Sequence, residues 1–146
     1  MRFGLILGFS TILIILMVLL LEIPVPNLLK MIPANSLELN IESFSTDKEV
    51  YHSNEPMNIT LGISSSDKID NVTVNVFGIK DRGNNYRINK LETVNLTSGI
   101  NTFTYSYTTP SCYGCAGIDA GIHEITAIIS YQNISQNSTI KIDIER

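Results

Sequence analysis

Alanine is nearly absent from this chain, with four in 146 residues. Abundant Ile, Thr, Val, Asn and Ser replace it, which is poor material for helices and good material for strands. Histidine is equally scarce. His52 and His123 are the only two and stand 71 positions apart (123 − 52). With no serine or cysteine in a strained nucleophile turn, neither supports a catalytic triad. Both read as ordinary surface or half-buried residues. Cysteine also occurs only twice, at Cys112 and Cys115. A zinc site needs about four ligands, and only His123, Asp119 and the distant His52 are there to assist. Basic clusters are missing too. From Leu37 onward eight Lys/Arg face thirteen Asp/Glu, a net charge near −5 (8 − 13), which argues against a nucleic-acid partner. Asp67, Asp70, Asp81 and Glu92 read as turn and edge charges rather than a hydrolytic pair. No catalytic constellation emerges, and the expectation is a protein that is not an enzyme and carries no cofactor or metal.

Charge is absent altogether from one stretch. Phe3 to Leu21 runs nineteen residues without an ionisable side chain. As a helix it would extend ~28 Å, about the hydrocarbon thickness of a bilayer. Ser10 and Thr11 interrupt it mildly, and their hydroxyls can bond back to the preceding helical turn. Arg2 precedes the run and Glu22 follows it, so the positive-inside tendency keeps the amino end cytoplasmic and sends the remainder outside. Residues 1–22 are read as an uncleaved N-terminal membrane anchor. A cleaved signal peptide, giving a secreted protein, is the rival reading, but its apolar core is usually ~7–15 residues before a small-residue cut site. Here Glu22-Ile23-Pro24-Val25-Pro26 follows, with no A-x-A pattern. Pilin-like processing after Gly4 is a weaker option, because Phe9 stands where such proteins usually carry Glu. Residues 23–36, with prolines at 24, 26 and 33, read as a short stiff stalk.

Residues 37–146 suffice for one domain with a modest core. Period-two alternation recurs along them. It covers Leu37–Ile41, Met57–Ile63, Val72–Val76, Phe103–Tyr107, Ile125–Tyr131 and Ile140–Ile144. Tyr86 to Leu96 adds one or two strands after the turn at residues 81–85. About seven short strands with one apolar phase each predict an all-β fold, an immunoglobulin-like antiparallel β-sandwich.

Five Asn-x-Ser/Thr sequons begin at Asn58, Asn71, Asn95, Asn133 and Asn137. Asn58 and Asn95 fall on polar phases of strands, the other three in turns, so all five are expected to be exposed, as glycan acceptors must be. The alternative is that Asn and Ser/Thr are simply common at such places. Pro110-Ser111-Cys112-Tyr113-Gly114-Cys115-Ala116-Gly117 is the one place where chemistry concentrates. In an exported domain a structural Cys112–Cys115 disulfide is the default, pinning a loop tip with a small entropic gain. Reduced thiols and a redox or metal role remain as alternatives. A thioredoxin-type site needs a helix after the first cysteine, which Gly114, Gly117 and Gly121 disfavour. Haem attachment needs His where Ala116 stands. Of the six tyrosines, a sugar-binding platform is one reading, while alternation makes Tyr105, Tyr107 and Tyr131 core or sheet-edge packing.

The segment Thr109-Pro110-Ser111-Cys112-Tyr113-Gly114-Cys115-Ala116-Gly117, continuing to Ile125, resembles the late strands of immunoglobulin-like domains in membrane-anchored surface proteins of methanogenic archaea. In these a Pro-Ser-Cys-x-x-Cys loop precedes Gly and a strand of alternating Ile and Val. Val94 to Asn101 is similar to the turn before the strand that enters the loop. The resemblance covers roughly residues 37–145, implies an Ig-like sandwich, and carries no catalytic residue. Together these readings predict a single-pass protein of the cell membrane with its C-terminal domain outside. Its expected role is structural or interactive, binding an envelope protein or glycan through loops or a sheet edge. An anchored subunit of a surface filament or secretion assembly is the alternative, and a redox or metal module at Cys112 and Cys115 the third.

Overall fold

The computed structural model of the chain describes residues 36–113 and 117–146. The anchor over 1–22, the stalk through residue 35 and Cys115 lie outside the described residues. Among the described residues no helix is long and apolar enough to cross a membrane. What they form is all-β. Eight strands follow in chain order: β1 (Leu39–Thr46), β2 (Val50–His52), β3 (Pro56–Ser65), β4 (Ile69–Lys80), β5 (Tyr86–Leu96), β6 (Gly99–Thr108), β7 (Gly121–Tyr131) and β8 (Ile134–Glu145). They make a three-stranded sheet in the order β1-β3-β6 and a five-stranded sheet in the order β2-β8-β7-β4-β5.

Alternation in the sequence becomes the inner faces of the two sheets. Ile59, Leu61 and Ile63 of β3 face inward, as do Val72, Val74 and Val76 of β4 and Ile125, Ala127 and Ile129 of β7, all fully buried. Most are β-branched, so each has few rotamers to lose and fits a pleated surface well. Burying one such side chain contributes about 1.5–3 kcal/mol. Two tyrosines close the margins of this layer. Tyr51 of β2 is fully buried; its hydroxyl donates to Asp47 Oδ1 at 2.7 Å and accepts the Lys48 N–H at 2.9 Å. Tyr105 of β6 donates to Glu92 Oε1 of β5 at 2.7 Å.

β5 is an edge strand that carries two charged residues in its inward phase, between the buried Ile88 and Leu96. Lys90 stands opposite Val76 and Glu92 opposite Val74, and the two ions pair at 3.2 Å. Charges turned inward on an edge discourage the addition of a further strand. This weighs against β5 as a docking edge.

Three expectations are corrected, and the one-or-two-strand reading of Tyr86 to Leu96 is resolved. The sandwich is not purely antiparallel, because β2 runs parallel to β8, with Val50 opposite Asp143 and His52 opposite Glu145. β2 is three residues long, too short to carry a readable period. Tyr86 to Leu96 is a single strand. Asn137 lies within β8 rather than a turn. Asn71 lies within β4, at a register shift between Ile69 and Val72, with φ 65°, a left-handed conformation that Asn tolerates better than most residues.

Chain entry defines one end of the sandwich. The Glu38 N–H donates to Ser66 Oγ at 3.1 Å, the Ser66 N–H returns to Glu38 O at 3.0 Å, and Ser98 Oγ donates to Ser66 O at 2.8 Å. The opposite end gathers the turns at 53–55 and 81–85, the loop from Thr109 to Ala120, and Glu145.

Gly78 in β4 is flanked by Ile88 of β5 and Ile125 of β7. A Cβ there would stand 2.5 Å from Glu124 O and 2.7 Å from Ile125 Cα. Backbone atoms cannot rotate away. Gly78→Ala should therefore destabilise by about 1–3 kcal/mol, read as a lower denaturant midpoint at unchanged slope.

Candidate binding cavity

At the end opposite chain entry β4 stops alternating. Phe77 is half-buried on the outer face of the five-stranded sheet, between Asn89 of β5 and Thr126 of β7. Two residues on, Ile79 would share that face in a regular strand. Instead its φ is 48° and its side chain is only 1% exposed, turned into the core. A β-branched residue in the left-handed region is an outlier and costs of order 1–3 kcal/mol. Burial of the isoleucine offsets that cost. Val76-Phe77-Gly78 carries the one sequence signal for this break: alternation fails there and a glycine sits inside a strand pattern.

Pairing with β5 keeps its register through this point and sets Lys80 directly opposite Tyr86, the first residue of β5. The Lys80 ammonium stands 5.1 Å from the Tyr86 ring centroid, a cation–π contact. The Phe77 and Tyr86 rings pack in a T-shaped pair, centroids 5.0 Å apart at 66°, a geometry that aromatic quadrupoles favour. With Gly78, Ile79, Ile122, His123, Glu124 and Thr126 these residues line a half-open cavity of ≈ 430 Å³. Ile122 is 72% and Tyr86 44% exposed. Glu124 faces Lys141 of β8 at 3.5 Å, Thr126 and Thr139 share a hydroxyl bond of 3.0 Å, and His123 Nε2 is 2.8 Å from Asp119 O. Farther along the outer face, Asn75 keeps its Oδ1 buried without a hydrogen-bond partner. The cavity thus offers apolar and aromatic faces with one cation and one anion at the rim. Among the described residues no group of three or more His, Cys, Asp or Glu is placed to hold a metal ion.

The cysteine loop packs beside this cavity. Thr109 is 1% exposed; its hydroxyl donates to His52 O at 2.6 Å and accepts the Glu55 N–H at 2.8 Å. The Cys112 N–H donates to Ser53 Oγ at 3.0 Å, and Sγ lies 3.9 Å from Glu145 O. Cys112 is buried, while Tyr113 beside it is 64% exposed. The Ile118 N–H closes the loop on Ser111 O at 3.0 Å. From the neighbouring turn, Arg82 grips Asp119 Oδ1 at 2.9 Å and Ile118 O at 3.3 Å. Pairing of Cys112 with Cys115 lies outside the described residues. The histidines have separate partners, His52 lying 3.6 Å from both Glu55 and Glu145.

All five sequon asparagines are exposed. Asn71 and Asn95 are neighbours, the Asn71 N–H donating to Asn95 Oδ1 at 3.0 Å, and Asn58 Oδ1 accepts the Ser106 hydroxyl at 2.8 Å. The tyrosines do not form one platform. Tyr51 and Tyr105 are buried, Tyr107 and Tyr131 half-buried, and only Tyr86 and Tyr113 are open. Phe77, which the sequence did not single out, is the partner that makes Tyr86 a site.

Perturbed ionisations belong to the structural clasps instead. The Asn58 N–H and the Tyr51 hydroxyl hold the Asp47 carboxyl below its ordinary value of 3.8. Lys48, then the His52 N–H, do the same for Glu55, as the Asn85 N–H does for Asp81. Burial, then the bond to Asp47, pushes Tyr51 up to about 12. Burial, then Glu92, also raises Tyr105 and Tyr107. The depressed carboxyls contribute stability that is complete above roughly pH 5 and is lost as pH falls through their folded values, below roughly 4. The raised tyrosines contribute stability that is complete below roughly pH 10 and is lost as pH climbs through their folded values. Urea midpoints across pH should therefore form a plateau with both limbs falling, and Asp47→Asn should shrink the acid limb.

No family model matches the chain, and no curated protein matches it. Solved structures do. The CARDB domain of the PF1109 protein from Pyrococcus furiosus, determined in complex with di-metal ions, aligns with TM-score 0.54 and 14% identity, over 75% of this chain and 89% of that one. The C-terminal domain of wzt aligns with TM-score 0.51 and 11% identity, over 78% and 80%. The alkylpurine DNA glycosylase AlkC of Pseudomonas fluorescens aligns with TM-score 0.57 and 10% identity, over 75% of this chain but only 31% of that chain's length. At these identities the likeness is one of fold: a small immunoglobulin-like β-sandwich of the kind seen in a CARDB domain.

Proposed function

We propose that this chain is a non-catalytic module of the cell envelope: a sandwich held outside the membrane by residues 1–22, binding a surface partner through the cavity at Phe77, Tyr86 and Ile122. One observation carries the reading. The cavity opens at the end of the sandwich opposite chain entry, and it exposes large apolar side chains without a nucleophile–base pair beside them. Such half-open, mostly apolar clefts with a few polar groups are the usual form of binding sites. The uncharged run from Phe3 to Leu21 supports the tether. The excess of acidic over basic side chains keeps the module from polyanions.

Two further features belong to the same reading. Outside the cell the default for Cys112 and Cys115 is a disulfide, consistent with a loop already closed by the Ser111–Ile118 bond. The five exposed asparagines are available as glycan acceptors where the host has the machinery. The surface proteins of methanogens that the cysteine loop resembles fit this picture, and the filament-subunit reading draws no support from β5, whose edge is guarded by inward charges.

Fractionation of native cells tests the proposal. The full-length chain should stay with membranes through alkaline carbonate, and a membrane-impermeant amine reagent should label it on intact cells. Recovery in the soluble cytosol, or labelling only after lysis, would overturn it.

A further inference from the structure

The chemistry of the cavity identifies a class of ligand, an inference that rests on the binding-module reading above. We infer that it seats a neutral pyranose unit of a surface glycan, with one face of the sugar ring stacked on Tyr86. Its volume of ≈ 430 Å³ falls within the roughly 300–1,000 Å³ typical of small-ligand sites. Its floor is aromatic and aliphatic. One face of a pyranose presents C–H groups of partial positive charge, which suit the negative face of a tyrosine ring. Phe77, its T-shaped partner at 5.0 Å, fixes that ring.

The rim decides between a sugar and the apolar side chain of a protein partner. Lys80 offers three donors and Glu124 two acceptor oxygens, and both stand at the same cavity. An apolar side chain pressed into the space would strip water from these ions and give nothing back. Sugar hydroxyls and acetamido groups can bond to both. Glu124 also faces Lys141 at 3.5 Å, so neither sign of charge dominates the rim. A polyanionic glycan would meet a domain with thirteen acidic and eight basic side chains from Leu37 onward.

A second observation points to the same place. The most strained non-glycine backbone beside the cavity is that of Ile79, left-handed and β-branched at φ 48°. Outliers of this kind gather at ligand sites, where surrounding structure holds them in place. Here the strained residue stands between Phe77 and Lys80, the two side chains that meet Tyr86.

Isothermal titration calorimetry needs no chromophore, so it reads binding equally in the unaltered protein and in variants that lack Tyr86. The full-length protein in detergent is titrated with the tetramer of N-acetylglucosamine, cellotetraose and mannotetraose, with a polyuronate as the charged control. At least one neutral oligosaccharide should bind saturably and the polyuronate should not. Tyr86→Ala should weaken binding by about tenfold, Tyr86→Phe should retain it, and Lys80→Met should weaken it less than Tyr86→Ala. Thermal unfolding of each variant reports whether the fold is intact, and Ile122→Ser, an exposed position on the same rim, replaces any variant that fails to fold. The inference falls if no neutral oligosaccharide binds at about 10 mM, or if binding survives Tyr86→Ala. It also falls if a Leu- and Pro-rich peptide occupies the cavity while the sugars stay silent. In that last case the binding-module reading stands, because the cavity is used and only the ligand class was wrong.

Discussion

Everything in this domain depends on a dry layer of branched aliphatic side chains shared by two sheets. Ile59, Leu61 and Ile63 from one side meet Val72, Val74, Val76, Ile125 and Ile129 from the other, and none retains contact with water. A residue slipped by one position would move to the opposite face, so this layer fixes the register of every long strand. It also explains the margins. Where the layer ends, polar groups are admitted only in satisfied clusters: Tyr51 with Asp47 at one side, Tyr105 with Glu92 and Lys90 at the other. Those clusters carry several of the ionisations that folding perturbs, so residues that seal the sandwich also help set its response to acid and alkali.

The outer faces are free of this constraint, and function has room there. On the five-stranded sheet most outward positions are small and polar, such as Thr73, Thr93, Thr126 and Ser130. The far end of β4 departs from this pattern, as does the exposed Leu91 of β5. Gly78 lets β7 approach closely, Ile79 turns inward, and the strand delivers Phe77 and Lys80 to one ring of Tyr86. The cost of a strained isoleucine is met by its burial. The consequence is a cavity at this end of the sheet. The described residues of the cysteine loop, gripped by Arg82 and seated on Ser53, stand outside its described lining.

Much of the fold was legible because its governing interaction has a period. Long half-buried strands print their apolar phase in the sequence, as β3, β4 and β7 do. β2 was not legible, since three residues hold no period and its parallel partner lies some ninety positions on, at Asp143 to Glu145. Asn71 read as a turn residue for a sound reason: its backbone is left-handed, though it bends within a strand instead of ending one. The site was harder still. Tyr86 stood among six tyrosines with nothing to rank it, and Phe77 looked like one more strand residue. Only a failed alternation at Val76-Phe77 followed by Gly78 marked the place, and its meaning depends on contacts between strands that sequence spacing does not encode.

The central claim is that the far end of β4, with Tyr86 of β5 and Ile122 of β7, forms a binding site on the five-stranded sheet. Mapping amide chemical shifts of the full chain during titration with a neutral pyranose oligosaccharide tests it most directly. The account predicts the largest shifts at Phe77 to Lys80, Tyr86 and Ile122 to Glu124, with β1, β3 and β6 silent. Largest shifts on the three-stranded sheet or at the Thr97–Ser98 turn, or no shifts anywhere, would contradict it.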